Sequence, residues 1–363
     1  MTEIYFVRHA EADGNAYRRI HGQYDSLITT NGYRQIEALS RRFASIDVDA
    51  CYASDLTRTC ITARAIYLPK KLPLYKDAAF REIHVGVWDD IPFGWLHRFV
   101  PDLMNQFNKD PLNWAVEGSE PFMVYTDRFL KRLKELAIEH DGQTIAIVSH
   151  GCALRGVLLR LFFDPTAPSI SYCDNTAVSH LFYENGKFTY DYINDNSHLT
   201  PDISTLIRQK KDRPDSDPRE YNLWYQPLQN EEDFSALVRQ MGLGYIPSFA
   251  DLSRKGEVQA AMRKEETIGL VATELIPHSK QAELKLIVLK QMHRGKRFGT
   301  QLFGTAVSFA RAHGKSQLIA NVDAEDEATI GFLIHNGMNV SATSGYEKKK
   351  IQFVKDIDPA NVR

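Results

Sequence analysis

Arg8, His9, Arg58, Glu82 and His150 are the side-chain types that handle a phosphoryl group, and each stands near the end of an apolar run or the start of a helical pattern. The run Ile4–Val7 stops at Arg8-His9, and Ile145–Val148 stops at Ser149-His150-Gly151 just before a helical pattern. A third run, Ala50–Ser54, leads through a turn into a helix carrying Arg58. The carboxyl ends of strands in an α/β sheet are where ligands bind, because the loops there leave amides and side chains free. Two arginines and two histidines brought to one such edge form a cationic cluster that is costly without an anion. A phosphoryl group is that anion: the guanidinium fork matches its oxygens, and an imidazole can donate to an oxygen or attack phosphorus. An alcohol leaves phosphorus poorly as an alkoxide. Glu82, among apolar neighbours and with Trp88 on the same loop, supplies a carboxyl whose pKa burial would raise and which can then protonate the alcohol.

The elements that must hold these residues show as patterns. "IYFV", "ACYAS" and "TIAIVS" are apolar without polar alternation, as interior strands covered on both faces are. After Thr29-Thr30 the spacing Ile36, Leu39, Phe43 gives one apolar helical stripe, and Thr59–Tyr67 and Cys152–Phe162 are further predicted helices. "VSHLFYENGKFTYDYIN" predicts a hairpin turning at Asn185-Gly186. The first half therefore reads as an α/β fold with helices on a mostly parallel sheet. Arg208–Glu220 is charged, carries two prolines and has almost nothing to bury, which marks a seam. Length agrees, since 363 residues is more chain than one core usually organises. The expected division is a first domain over 1–200, a linker over 201–219 and a second domain over 220–355.

Arg8-His9-Ala10-Glu11 with Asn15, Ser54-Asp55-Leu56-x-Arg58-Thr59, Glu82 followed by Gly86-x-Trp88, and Ser149-His150-Gly151 together resemble the motif set of the histidine phosphatase family. This is the phosphoglycerate mutase-like superfamily, in its cofactor-dependent mutase and broad-specificity phosphatase branch. The resemblance runs from Met1 to Leu199, includes "DNSHL" near its end, and implies a three-layer α/β/α domain. It implies that His9 is the nucleophile and becomes phosphohistidine, that Arg8, Arg58 and His150 hold the phosphoryl oxygens, and that Glu82 is general acid and then base for water. Asn15, Gly22 and Gln23 would approach the phosphate or substrate from the first loop, and Gly151 belongs to the His150 motif. No metal is implied, because the arginines and the histidine do the charge work. Ala10 stands where the family usually has glycine, and Ala12 where it often has threonine. The short chain between Glu82 and Ser149 points to a phosphatase rather than a dedicated glycolytic mutase, which would carry a larger insertion. Taken singly, His21, His84, His97 and His180 read as satisfied structural histidines, and Phe93, Trp95 and Phe99 as core or lid packing.

"LIVLKQMHRGKRFGTQL" puts the strand Leu284–Leu289 ahead of a loop whose amides open a helix near Gly299. With Arg294, Lys296 and Arg297 beside it, that helix start is a pyrophosphate cradle. "NVDAEDEATIGFLIHNGM" adds a strand, a polar loop, a helix over Thr329–His335 and the stop signal Asn336-Gly337. Over Tyr221–Ile351 the pattern resembles a GNAT-type N-acetyltransferase. That implies an α/β domain with a mixed sheet, acetyl-CoA as cofactor and direct acetyl transfer to an amine. The family loop R-x-x-G-x-G corresponds to Arg294-Gly295-Lys296-Arg297-Phe298-Gly299, with Arg297 replacing the middle glycine and Thr300 following in the helix. Leu289 stands where the splayed strand offers its backbone to pantetheine. Leu333 follows Phe332 where the family usually has a tyrosine able to protonate the leaving thiolate, and Asp326 replaces a frequent asparagine. Glu283 and Glu274, on two central strands, are candidate general bases.

With 43% hydrophobic and 25% charged residues and a formal net charge of -2, the chain has no overall pull toward nucleic acid or an anionic membrane. No apolar run approaches the roughly 20 residues of a membrane span, and the N-terminus has no signal core. Cys51, Cys60, Cys152 and Cys173 form no C-x-x-C pair and read as buried thiols. The expectation is a cytoplasmic bifunctional enzyme that hydrolyses a small phosphomonoester and acetylates an amine. Its alternatives are a phosphatase regulated by a non-catalytic acetyl-CoA-binding module, and a mutase-like phosphotransferase. Oligomeric state is not written in these motifs.

Overall fold

Six strands build the first sheet: β1 (Thr2–Arg8), β2 (Ala50–Ala53), β3 (Leu74–Lys76), β4 (Thr144–Ser149), β5 (Val178–Glu184) and β6 (Lys187–Asp195). Their order is β3-β2-β4-β1-β5-β6, with β1 to β4 mutually parallel and β5 and β6 antiparallel at one side. The computed structural model describes residues 1–363 apart from 167–168, 212–216, 242–245, 247, 342–349 and 363. Four helices cover the sheet: α1 (Thr30–Arg42), α2 (Thr57–Lys70), α3 (Phe122–Glu139) and α4 (Gly151–Phe162). A strand covered on both faces needs apolar residues at every position, and β1 shows why. Tyr5 and Val7 pack with Leu39, Ala63 and Ile66 of α1 and α2, while Ile4 and Phe6 pack with Phe129, Leu133, Leu154 and Val157 of α3 and α4. The result is a three-layer α/β/α domain. α1 starts where Thr29 caps it, accepting the Gly32 amide at 3.0 Å. The β5–β6 hairpin turns at Asn185 and Gly186, whose φ angles of 50° and 80° are those of a type I′ turn. Arg8 is in register with Ser149, so His9 and His150 leave the sheet at the same edge.

By compactness the chain divides into Met1–Ala12, Ile20–Asp90 and Val100–Pro214 as one unit, and Asp13–Arg19, Ile91–Phe99 and Asp215–Arg363 as the other. The second unit is built on β7 (Trp224–Pro227), β8 (Gly256–Arg263), β9 (Glu266–Leu275), β10 (Gln281–Leu289), β11 (Gln317–Asp323), β12 (Asn339–Val340) and β13 (Lys350–Asp356). The sheet runs β12-β13-β11-β10-β9-β8-β7 and is mixed, with β10 and β11 parallel. Helices α5 (Phe298–Ala312) and α6 (Glu327–His335) bury Leu302, Phe303, Ala306 and Leu333 against it.

Two early segments complete this second core. Tyr17 lies over Gly304 of α5 so closely that a Cβ there would come within 2.3 Å of the ring. Lys355 meets Asp13 at 3.4 Å with both side chains buried. The helix Phe93–Phe99 also belongs to this unit, and a Cβ at Gly94 would strike the Leu223 carbonyl. Trp95 and Phe99 are 37% and 47% exposed, so neither is core. Of the charged seam Arg208–Glu220, the first residues close the helix Thr205–Lys211, 212–216 lie outside the described residues, and Pro218–Glu220 form a short 3-10 turn. No helix among the described residues is long and apolar enough to cross a membrane.

Candidate active site

Because β1 and β4 are adjacent and parallel, His9 and His150 meet although 141 positions separate them, with ring centroids 5.3 Å apart. The His9 amide donates to the Ser149 carbonyl at 2.9 Å, and its ring Nδ1 donates to the Ala10 carbonyl at 2.8 Å. Donation from Nδ1 leaves the lone pair of a neutral imidazole on Nε2. Burial holds the His9 pKa well below its ordinary value, and the Arg58 and Arg8 guanidinium groups push it the same way. Arg58 is fully buried on the first turn of α2 and donates to His150 Nδ1 at 3.1 Å, to the Tyr24 carbonyl at 2.9 Å and to the Gly22 carbonyl at 2.7 Å. His150 is likewise kept neutral, by burial first and Arg58 second. Since its Nδ1 accepts, its proton sits on Nε2, and that atom is buried without a partner among the described residues. Arg8 donates from Nη1 to the Cys173 carbonyl at 2.5 Å, while its buried Nε also has no partner. Two orphaned buried donors beside a neutral imidazole are a site waiting for an anion's oxygens. Gly151 lets them come close, for a Cβ there would stand 3.1 Å from Arg8 Nε.

Glu82 is 4% exposed and accepts three amides: Ala153 at 2.6 Å and Ile83 at 3.1 Å on Oε1, and Cys152 at 3.0 Å on Oε2. Burial raises its pKa, and the three amides and Arg58 offset only part of that rise. The backbone beneath it is fastened by Arg128, which donates to the carbonyls of Ala79, Arg81 and Glu82 and pairs with Glu120. Gln23 adds a bond from Nε2 to the Glu82 carbonyl at 2.9 Å.

In the second unit β10 pairs with β11 only over Gln281–Glu283, so the strands part from Leu284 onward and the backbone of β10 is open on that side up to Leu289. Leu289 is 9% exposed, and its carbonyl accepts from Arg294 Nε at 3.1 Å. The loop then uses two left-handed residues, Gly295 at φ 72° and Arg297 at φ 61°. No side chain caps α5, and its first intrahelical bond is from Gln301 to the Arg297 carbonyl at 3.4 Å. The amides of Phe298, Gly299 and Thr300 therefore precede that ladder, at the end of the helix that favours an anion. Gly299 is required for packing, since a Cβ there would stand 2.8 Å from the Phe332 ring. These residues would hold coenzyme A: the open backbone of β10 its pantetheine, and the amides of Phe298, Gly299 and Thr300, beside Arg294, Lys296 and Arg297, its pyrophosphate.

Residues 4–196 match the family described as the histidine phosphatase superfamily (branch 1), and residues 219–338 match the acetyltransferase (GNAT) family. The chain belongs to the histidine phosphatase superfamily. It is 26% identical over 200 residues to phosphoserine phosphatase 1 of Hydrogenobacter thermophilus, covering 55% of this chain and 95% of that protein. It is 29% identical over 206 residues to the metal-independent phosphoserine phosphatase of Arabidopsis thaliana, covering 55% and 84%. Among solved structures, YhfR of Bacillus stearothermophilus superposes with a TM-score of 0.52 at 27% identity, over 55% of this chain and all of that one, 100%.

Of the residues predicted for the phosphatase unit, Arg8, His9, Arg58, Glu82, His150 and Gly151 gather at one sheet edge. The Gly22 and Gln23 amides are taken by Asp89, which also accepts the Tyr24 amide, at 2.8, 3.1 and 2.8 Å. Asn15 sits on the helix Asp13–Ala16 of the second unit. Sequence reasoning gave no role to Asp89 or Arg128, because a side chain that holds backbone groups leaves no spacing signature. His21, read as structural, has its Nε2 bonded to Ser26 Oγ at 3.0 Å, and its ring lies 5.9 Å from that of His9. Cys51 and Cys173 are buried, Cys60 and Cys152 are partly buried, and all four are free. In the GNAT domain Glu283 and Glu274 share Lys285, at 3.4 and 3.8 Å, and Glu283 also accepts from Asn321 at 2.9 Å. Leu333 is fully buried in the core.

Proposed function

We propose that this chain hydrolyses small phosphomonoesters without metal through a phosphohistidine, and that its second domain binds acetyl-CoA and acetylates an amine. The observation that carries the first part is the pair of orphaned donors, His150 Nε2 and Arg8 Nε, beside a buried neutral His9. In this reading His9 Nε2 attacks phosphorus while Glu82, its pKa raised by burial, gives its proton to the departing alcohol. The Glu82 carboxylate then takes a proton from water as that water attacks the phosphohistidine, which returns both residues to their starting forms. Phosphoserine is the first ester to test, since two relatives are named for it. The proposed division is 1–200, 201–219 and 220–355, with 13–19 and 91–99 contributing to the second core. Four free cysteines fit a cytoplasmic setting.

For the second domain, the parted strands and the uncapped start of α5 support coenzyme A binding. When bound, acetyl-CoA supplies an activated acetyl thioester; Glu283 or Glu274 would take the proton of the amine, the C–N bond would form as the C–S bond breaks, and the departing thiolate would take its proton from water, since Leu333 has none to give. A regulatory, non-catalytic module is the second reading. It is favoured by the core burial of Leu333 and by the ion pairs that tie both glutamates to Lys285.

Phosphate release from a panel of esters without added metal, in the wild type and His9→Ala, tests the first part. Release that vanishes in the variant supports it, and release that persists refutes the phosphohistidine route. Free thiol formation from acetyl-CoA across an amine panel tests the second, while stabilisation by acetyl-CoA without product marks the regulatory module.

A further inference from the structure

Arg155 is a buried cation that the proposed chemistry leaves unused. It lies on α4, 8% exposed, and donates from Nε to the Ile170 carbonyl and from Nη2 to the Asn108 carbonyl, both at 3.0 Å. Its guanidinium stands 4.8 Å over the Tyr172 ring. Three contacts thus fix its plane, yet among the described residues no carboxylate pairs with it and nothing accepts from Nη1. Other partly buried arginines of this unit do have carboxylate partners: Arg128 with Glu120, Arg160 with Asp127, and Arg132 with Asp77. A buried guanidinium without a counter-charge is costly unless an anion visits it.

Its position says which anion. Cys152 and Arg155 are three apart on α4, on one helix face and about 4.5 Å apart along the axis. The Cys152 amide holds Glu82 Oε2, and the Cys152 thiol lies within electrostatic reach of Glu82, Arg155 and Arg8. Glu82 is the group that would face the departing alcohol, and the Cys152 amide that holds it lies one helical turn from Arg155 on α4. The phosphoryl oxygens have their own donors in Arg8, Arg58 and His150, which leaves Arg155 for a second negative charge.

We infer that Arg155 is a specificity-determining residue that binds a carboxylate carried by the leaving alcohol, so that the substrates are phosphomonoesters of hydroxy acids. This rests on the phosphatase reading proposed above. A planar guanidinium held on three sides presents its remaining edge to a carboxylate with little further ordering.

The test compares phosphoserine with phosphoethanolamine, the same amino alcohol without the carboxylate, in the wild type, Arg155→Met and Arg155→Lys, with p-nitrophenyl phosphate as a general ester. Folding of each variant is checked by its thermal transition. A charge-assisted hydrogen bond lost from the complex corresponds to about 10- to 100-fold in kcat/KM. The wild type is expected to prefer phosphoserine by that ratio, Arg155→Met to bring the ratio toward one, and Arg155→Lys to keep part of it. A wild type without the preference overturns the inference. So does an equal loss on both esters in both variants, which would make Arg155 only a clamp between the loop at Ile170 and the helix at Asn108. If the wild type cleaves none of the three esters, the phosphatase reading falls and this inference with it; if it cleaves p-nitrophenyl phosphate without a carboxylate preference, this inference alone falls.

Discussion

Replacing Glu82 by glutamine changes one atom and separates its two jobs. Glutamine keeps an oxygen at Oε1, which can still accept the amides of Ala153 and Ile83, but it puts an NH2 where Oε2 accepted the Cys152 amide. Two donors then face each other in a buried place, and the orphaned amide costs about 1–3 kcal/mol of stability. The catalytic loss is separate. A general acid contributes about 100- to 10,000-fold, equivalent to about 2.7–5.4 kcal/mol of barrier at 1.36 kcal/mol per decade. That loss should appear in full for an alkyl phosphate such as phosphoserine, whose alcohol must leave protonated. For p-nitrophenyl phosphate, whose phenolate leaves unaided, it should shrink to less than about tenfold. The assay is kcat/KM for both esters, with denaturant unfolding of the same samples across pH. Because folding raises the Glu82 pKa, its contribution to stability is present below the unfolded value and is lost as pH rises through the folded one. The stability cost of Glu82→Gln should therefore be largest in acid and shrink as pH rises. An equal kinetic loss on both esters, or a stability cost that grows with pH, would refute the assignment of Glu82 as a protonated acid.

His9 and His150 are neutral when folded, with pKa values well below the ordinary 6.5, so their contribution is present above the unfolded value and is lost as pH falls through the folded ones. Two protons taken up on unfolding give a slope of up to about 2.7 kcal/mol per pH unit below that value, and His150→Asn should halve it in urea titrations at stepped pH. Tyr17→Ala opens a hole over Gly304 in the second core and should cost about 3–5 kcal/mol there; a fragment of residues 215–363, lacking that ring and Asp13, should show no cooperative melt by calorimetry. Arg297→Gly removes a side chain from φ 61° and should raise the stability of that domain by about 1 kcal/mol while weakening coenzyme A in titration calorimetry, because a cation beside the pyrophosphate cradle is lost.

The strands that carry the phosphatase site were legible because they are parallel and interior: β1 and β4 are apolar on both faces, and each stops at a histidine. What no spacing showed was that they are neighbours, and that adjacency brings His9 to His150. β8 was missed for a different reason. A bulge between Ala261 and Met262 breaks its alternation, and Val258, Ala260 and Ala261 are buried on opposite faces of the sheet. The assignment of Tyr17 and Gly94 to the second core was equally hidden, since they lie far from it in sequence and are recognised only by the shapes of Gly304 and Leu223. The GNAT loop was legible down to its exception, for the position where that family has glycine is the one at which Arg297 adopts a left-handed backbone.

In the phosphatase site one physical cause sets two groups in the forms the proposed reaction needs. Exclusion of water from the sheet edge lowers the pKa of His9 and raises that of Glu82. In the proposed reaction these directions favour a His9 free of its proton and a Glu82 that keeps its own. The active window lies above the pKa of His9 and below that of Glu82, so its width measures how dry the site is. The amides of Cys152 and Ala153 work against the rise at Glu82, which ties the upper edge to the seating of α4 as well as to burial. A substitution that admits water without touching either residue should move the lower edge up and the upper edge down together. A change confined to the start of α4 should move the upper edge and leave the lower one in place. The pH profile of kcat/KM thus distinguishes a wetter pocket from a displaced helix without a new structure.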